Sequence, residues 1–129
     1  EPLSGYLLLG QKLLEGQREF AEAWNFGPSE DGHMTVCDIV EHAKKWWPKI
    51  EYEYWQSADQ PHEANRLRLD CSKASIRLRW RTVWDAPTTV EKTILWYRAF
   101  YEGGRIRSAD DLRDYLAAAT QRKLIWTQT

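Results

Sequence analysis

The chain lacks what several functional classes require. It has no basic surplus: 18 Lys and Arg stand against 19 Asp and Glu, a net charge of −1 at pH 7. A general nucleic-acid binder neutralises phosphates with excess cations, so that class is excluded, although one local basic patch is not. There are only two cysteines, Cys37 and Cys71, neither in a CxxC and with no zinc-type spacing. One disulfide stays open as an option; a reduced, cytoplasmic chain is the simpler expectation. The longest apolar run, Tyr6-Leu7-Leu8-Leu9, is far short of the roughly 20 residues a membrane span needs. No basic start followed by an apolar stretch marks a secretory signal. Phosphate-loop patterns (GxGxxG, GxxxxGK[ST]) and a GxSxG nucleophile elbow are missing. No internal repeat occurs. Position 1 is Glu rather than Met, which suggests a chain cut from something longer.

What remains is an ordinary globular composition. The 129 residues, 43% hydrophobic and 29% charged, suit one domain able to bury a core. The unusual count is eight tryptophans: Trp24, Trp46, Trp47, Trp55, Trp80, Trp84, Trp96 and Trp126. Indole faces stack on bases and sugars, so a ligand groove is one reading. Core packing with partly exposed ring edges is the plainer one.

The pattern along the chain is mostly helical. Ser4 offers a cap for a first helix in which Leu3, Leu7, Leu13 and Leu14 recur near a helical period, ended or weakened by Gly16. Asn25 to Pro28 suggests a short strand stopping at Gly-Pro. Thr35 and Asp38 form a capping-box pair for a second helix, with Val36, Ile39, Val40, Ala43, Trp46 and Trp47 as its buried stripe and Pro48 as its stop. Residues 50–55, IEYEYW, alternate like a strand, and 66–70 give another short one. Asp70 or Ser72 caps a short helix through Ile76 and Leu78. Thr88 with Glu91 suggests a capping box for a helix carrying Val90, Ile94, Tyr97 and Tyr101 and stopped by Gly103-Gly104. Ser108, Asp110 and Asp111 open the last helix, with Leu112, Tyr115, Leu116 and Ala119 facing inward. Residues 123–129 read as a loosely held tail. The expected class is therefore α+β and helix-rich, with strands too few for a sheet of their own.

Few residues cluster in a way that carries chemistry. Asp38 and His42, four apart on one helix with Glu41 beside them, lack a third metal ligand, so a surface pair is the reading for them. His33 sits in a polar loop. Gly103-Gly104-Arg105 lies at a helix C-terminus, whose dipole has the wrong sign for an anion. The stretch Gln60-Pro61-His62-Glu63 offers more. Pro61 holds Gln60 extended, and His62 and Glu63 supply a donor and an acceptor suited to a ribose or sugar hydroxyl. Arg66 and Arg68 follow within reach of a phosphate. A solvated loop start is the alternative.

Several motifs then fall into a family order: Glu1-Pro2-Leu3-Ser4-Gly5-Tyr6-Leu7-Leu8-Leu9, Trp24-Asn25-Phe26-Gly27-Pro28, Pro61-His62-Glu63-Ala64 and Leu69-Asp70-Cys71-Ser72-Lys73-Ala74. Over residues 1 to 122 the chain resembles the C-terminal part of CDP-glucose 4,6-dehydratases, in the extended short-chain dehydrogenase/reductase superfamily. It departs where that family reads L-G-W-x-P-x-W, since Arg79 replaces Gly and Thr82 replaces Pro.

The resemblance implies a C-terminal substrate-binding subdomain spanning 1–122, incomplete and followed by a tail at 123–129. It implies that the NAD-binding Rossmann half, with the catalytic Tyr-x-x-x-Lys and the elimination carboxylate, is missing from this chain. For the full-length parent it implies an oxidation of CDP-glucose at C4 by bound NAD, loss of water across C5–C6 and hydride return at C6. The product is a 4-keto-6-deoxy sugar on CDP, a step in deoxysugar biosynthesis. Related dehydratases carry Arg-Pro-Gly-His-Asp where this chain has Gln60 to Glu63, so His62, Glu63 and Gln60 become nucleotide-side contacts, with Gln60 lacking the cationic charge. NAD belongs to the parent and is not expected to bind this chain alone. The implied partners are CDP-glucose or CDP and the missing Rossmann half, with no nucleic acid and no membrane, and a homo-oligomeric parent. An inactive substrate-binding portion is one functional hypothesis. A non-catalytic helical interaction module, docking through an uncovered apolar face, is the alternative. A small metal enzyme using Asp38 and His42 is the third.

Overall fold

The computed structural model describes residues 1–28, 32–53 and 69–128. Among the described residues five α-helices carry the fold: α1 Pro2–Leu14, α2 Val36–Trp46, α3 Ser72–Arg77, α4 Ala86–Gly103 and α5 Ser108–Gln121, with short 3₁₀ turns at Arg18–Phe20 and Ile125–Thr127. Among the described residues no strand forms. The segments 25–28, 50–53 and 69–70 are irregular backbone, so the helix-rich half of the expected class holds and the β half is not seen there. Residues 54–55 and 66–68 of the expected strands lie outside the described residues.

Two small cores sit side by side. In the first, Leu8 of α1, Phe26, Ala74 and Leu78 of the α3 region and Trp80 are buried together. Phe26 meets the Tyr6 and Trp80 rings edge-on, with centroids 5.3 and 5.1 Å away. In the second, Val83, Ala119 of α5 and Leu124 close on one another, flanked by Trp84 and Tyr115. Trp126 packs against both. The segment after residue 122, expected to be loose, is thus held by a buried leucine and a shared indole. Tryptophan serves the cores here: Trp80 is only 2% exposed, and Trp24, Trp84 and Trp126 are packed partly buried against the two clusters. Trp55 lies outside the described residues.

The helix ends show which local signals win. The Thr35–Asp38 capping box closes α2 as expected, the Thr35 hydroxyl accepting from the Asp38 amide and the Asp38 carboxylate from the Thr35 amide. Gly104 ends α4 at φ 65°, a left-handed conformation that glycine adopts freely. Two other caps sit elsewhere than expected. Ser4 lies inside α1 and its hydroxyl donates to the Glu1 carbonyl at 2.8 Å; Glu1 is the N-cap and Pro2 opens the helix. Asp85, not Thr88, caps α4, taking the Thr88 amide at 2.8 Å, with Pro87 in the first turn. Asp70 accepts the Ser72 amide ahead of α3. After α3, Arg79 adopts φ 53°. A residue with a Cβ carries about 1–2 kcal/mol of strain there, and this is the position where the resembled family has Gly.

The faces of the helices also differ from expectation. On α1, Gly5 and Leu8 turn inward, whereas Leu3, Leu7 and Leu14 are 72%, 76% and 91% exposed. Of the α2 stripe only Ala43 is buried, and Val36 and Ile39 are exposed. On α4 Tyr97 and Tyr101, and on α5 Leu112 and Leu116, are exposed as well. Helix α2 packs along α4. There Trp47 stacks on Tyr101 with centroids 6.1 Å apart and donates to Glu102 at 3.2 Å, and Arg98 donates to the Trp46 carbonyl at 3.0 Å. Lys49, then Arg98, pulls the Glu102 carboxyl down to about 2.

Candidate functional site

The residues singled out by sequence, Gln60, His62 and Glu63, together with Arg66 and Arg68, lie outside the described residues. The described chain resumes at Leu69-Asp70-Cys71, and this rim is well anchored. Asn25 donates its side-chain amide to the Asp70 carbonyl at 3.1 Å. Gly27 comes close against the same segment: a Cβ there would stand 3.2 Å from both Cys71 Sγ and Leu69 Cδ2. Burial pushes the Cys71 thiol up, opposed by a hydrogen bond to the Gly27 backbone and reinforced by Asp70. Both Cys71 and Cys37 are free thiols.

Beside this rim α3 is tied to the stretch before it. Lys73 bonds Glu22 at 2.5 Å and the Ala23 carbonyl at 2.9 Å, and its ammonium lies 4.6 Å above the Trp24 ring. Arg77 pairs with the same Glu22 and stacks over Trp24 and Phe20. Lys73 first, then Arg77, holds the Glu22 carboxyl below its usual range. These cations are consumed by structure.

Several recesses open on the described surface, of which three bear on the site. The first lies between Gly27–Pro28, the start of α3 and the Trp80–Thr82 turn, and holds about 340 Å³; Arg81 and Arg122 reach into its lining. The second, about 400 Å³, runs between α4 and α5 with Trp84, Trp96 and Tyr97 on its wall. Lys92 there lies 5.4 Å above Trp84 and pairs with Asp114 at 2.5 Å. The third is an apolar groove of about 520 Å³ between α1 and α5, walled by Leu3, Leu7, Leu112 and Leu116.

The floor of that groove is a polar network that sequence reasoning missed. The Glu1 carboxylate accepts the backbone amides of Val83 at 2.8 Å and Trp84 at 3.0 Å. The Tyr115 hydroxyl reaches Glu1 at 3.2 Å and Ser4 at 3.0 Å, and Trp80 Nε1 donates to the Ser4 hydroxyl at 3.0 Å. Burial pushes the Tyr115 phenol up to about 12; the Ser4 bond opposes this and the Glu1 charge adds to it. So Tyr115 stays protonated across the physiological range and acts as a donor. The network binds chain segments together and contains no free nucleophile.

Asp38 spends its carboxylate on the Thr35 cap, and His42 accepts a 3.4 Å bond from Trp46 Nε1. Among the described residues no group of three metal-type ligands comes together. Arg105, beside the Gly103-Gly104 stop, pairs with Asp110 at 2.8 Å. No helix among the described residues is long and apolar enough to cross a membrane.

These observations define a helix-rich lobe with an anchored rim at 69–71 and a large apolar groove open to solvent. No family model matches the chain. Over 123 residues, 94% of its length, it is 36% identical to the C-terminal region of the CDP-glucose 4,6-dehydratase of Salmonella typhimurium (strain LT2). That stretch is 34% of the relative, so the chain spans about a third of the length of the curated protein it matches.

Proposed function

We propose that the chain is the substrate-binding portion of a CDP-glucose 4,6-dehydratase-type enzyme and is inactive by itself. The observation that carries this is the 36% identity running through 94% of the chain. His62, Glu63 and Gln60 form the nucleotide-side contacts, and the 69–71 rim fixes the point where that stretch rejoins the helices. CDP-glucose is the substrate and the parent works on it with bound NAD. NAD does not fit the residues present: the sequence has no GxGxxG and its Gly103-Gly104 pair ends a helix rather than opening one. No chemical step is therefore assigned to this chain.

The test is a titration with CDP-glucose, CDP and UDP followed by tryptophan fluorescence and calorimetry. Cytidine ligands are expected to bind saturably and better than UDP, with affinity falling about ten-fold or more in His62→Ala. Equal binding of CDP and UDP, or no effect of the substitution, rejects the nucleotide contact.

The apolar groove favours a second, compatible role as a docking surface. Leucines this exposed and contiguous mark a contact site in a globular protein. Its occupant is a body corresponding to the remainder of the relative, which carries about twice as much chain again beyond the matched part. Alone, the chain is expected to self-associate as concentration rises, and Leu7→Glu to keep it monomeric in sedimentation without changing its helical circular dichroism. A wild-type chain that stays monomeric at high concentration would sink this role.

A further inference from the structure

Residues 18–24 lie across α3 as a strap. No residue from 15 to 25 is buried; Phe20 and Trp24 pack, partly covered, on the edge of the first core. Among the described residues, every hydrogen bond between 18–24 and a distant segment comes from two side chains of α3. Lys73 donates to Glu22 at 2.5 Å and to the Ala23 carbonyl at 2.9 Å, and Arg77 donates to Glu22 and to the Glu19 carbonyl at 3.1 Å. The same two cations lie against the strap's rings, Lys73 at 4.6 Å and Arg77 at 5.4 Å from Trp24, with Arg77 also 5.8 Å from Phe20. Within itself the strap is closed. Trp24 Nε1 donates to the Phe20 carbonyl at 2.9 Å, and the two rings stack with centroids 5.8 Å apart. One end is Gly16, at φ 81° with open space around it; the other is the buried Phe26.

Such a segment sits at the low end of local stability, because exposed ion pairs contribute little and salt screens them. A single carboxylate, Glu22, serves both cations. Losing its charge removes two pairs at once. It also leaves Lys73 and Arg77, four apart on α3, as like charges that repel. We propose that 18–24 is a hinged strap with Glu22 as its clasp, which charge screening opens while both cores stay intact. Opened, it bares the edge of the first core that Phe20 and Trp24 cover. Its seating is linked to that of the 69–71 rim, since Asn25, next in the chain, holds the Asp70 carbonyl at 3.1 Å. The strap is independent of which ligand the chain binds.

Hydrogen exchange of the full chain, read by mass spectrometry on peptides covering 18–24 and α4, tests it. Within the strap the Phe20, Ala21 and Glu22 amides are hydrogen-bonded to the Gln17, Arg18 and Phe20 carbonyls and report its opening. Raising sodium chloride from about 0.1 M to about 1 M shortens the screening length from about 10 Å to about 3 Å. Exchange in 18–24 is then expected to rise about five-fold or more, with α4 unchanged. Glu22→Gln is expected to show that faster exchange already at low salt and to lose most of the salt response. Glu22 is exposed, so its variant keeps the fold, and unchanged α4 exchange verifies that. A strap that exchanges equally in Glu22→Gln and in the wild-type chain overturns the proposal, and means that Phe20 and Trp24 hold it by packing. Exchange in 18–24 that rises only together with α4 overturns it too, because opening is then global unfolding. A wild-type strap indifferent to salt removes the clasp even if the variant fails to fold.

Discussion

Replacing Trp80 with Ala is expected to remove about 3–5 kcal/mol of stability. The indole is 2% exposed and sits in the first core, against Phe26 edge-on at 5.1 Å. Truncation leaves a ring-sized hole and removes the donor that holds the Ser4 hydroxyl at 3.0 Å. A domain of this size has only about 5–15 kcal/mol in total, so the variant sits close to unfolding. Urea denaturation followed by circular dichroism measures the loss. Trp80→Phe keeps a ring against Phe26 and loses less. A change under about 1 kcal/mol in the Ala variant would mean that the first core does not hold the fold together.

The second large effect is a matched pair on α1. At Gly5 an added Cβ would stand 2.3, 2.5 and 2.8 Å from three Phe26 ring atoms. The ring cannot swing away, because Tyr6 and Trp80 meet it edge-on from two directions. Overpacking of this kind costs roughly 1–3 kcal/mol and exceeds the gain of up to about 1 kcal/mol that alanine brings to a helix over glycine. Gly5→Ala is expected to destabilise by about 1–2 kcal/mol. Gly10 has nothing within 4 Å of the same added atom, so Gly10→Ala should stabilise by up to about 1 kcal/mol. Opposite signs within one helix are the diagnostic result in parallel urea melts. The same sign for both would show that helix propensity, rather than the Phe26 contact, decides.

The contrast between sequence and structure has a physical origin. Signals that act within one turn were legible: the Thr35–Asp38 box and the Gly104 stop depend only on neighbours. The Asp85 cap was also visible in the sequence, as an Asp two residues ahead of Pro87, but Thr88 competes for the same role on the same evidence. Nothing near Glu1 announces that its carboxylate serves amides at 83 and 84, because that bond spans most of the chain. Periodicity found the leucines of α1 but could not say which side faces the core; Gly5 and Leu8 do, while Leu3 and Leu7 wall an open groove. The alternation in IEYEYW failed as a strand signal at 50–53, where no partner strand stands among the described residues. For the site, the proposed contacts at 60–63 rest on the resemblance and lie outside the described residues, while the bond from Tyr115 to Ser4 was invisible because two distant segments must meet to create it.

The Glu1 network sets an order of assembly. Ser4 and the cap of α1 meet their partners in residues 80–84 and 115, and Leu8 packs on Phe26 as well as on Ala74, Leu78 and Trp80. Closing loops of that length has an entropic cost before any contact repays it. During folding, α1 completes its seat only when residues 83–84 and α5 close on it; α2 and α4, packed on each other, can associate earlier. For that interval the leucines of α1 are an aggregation-prone surface.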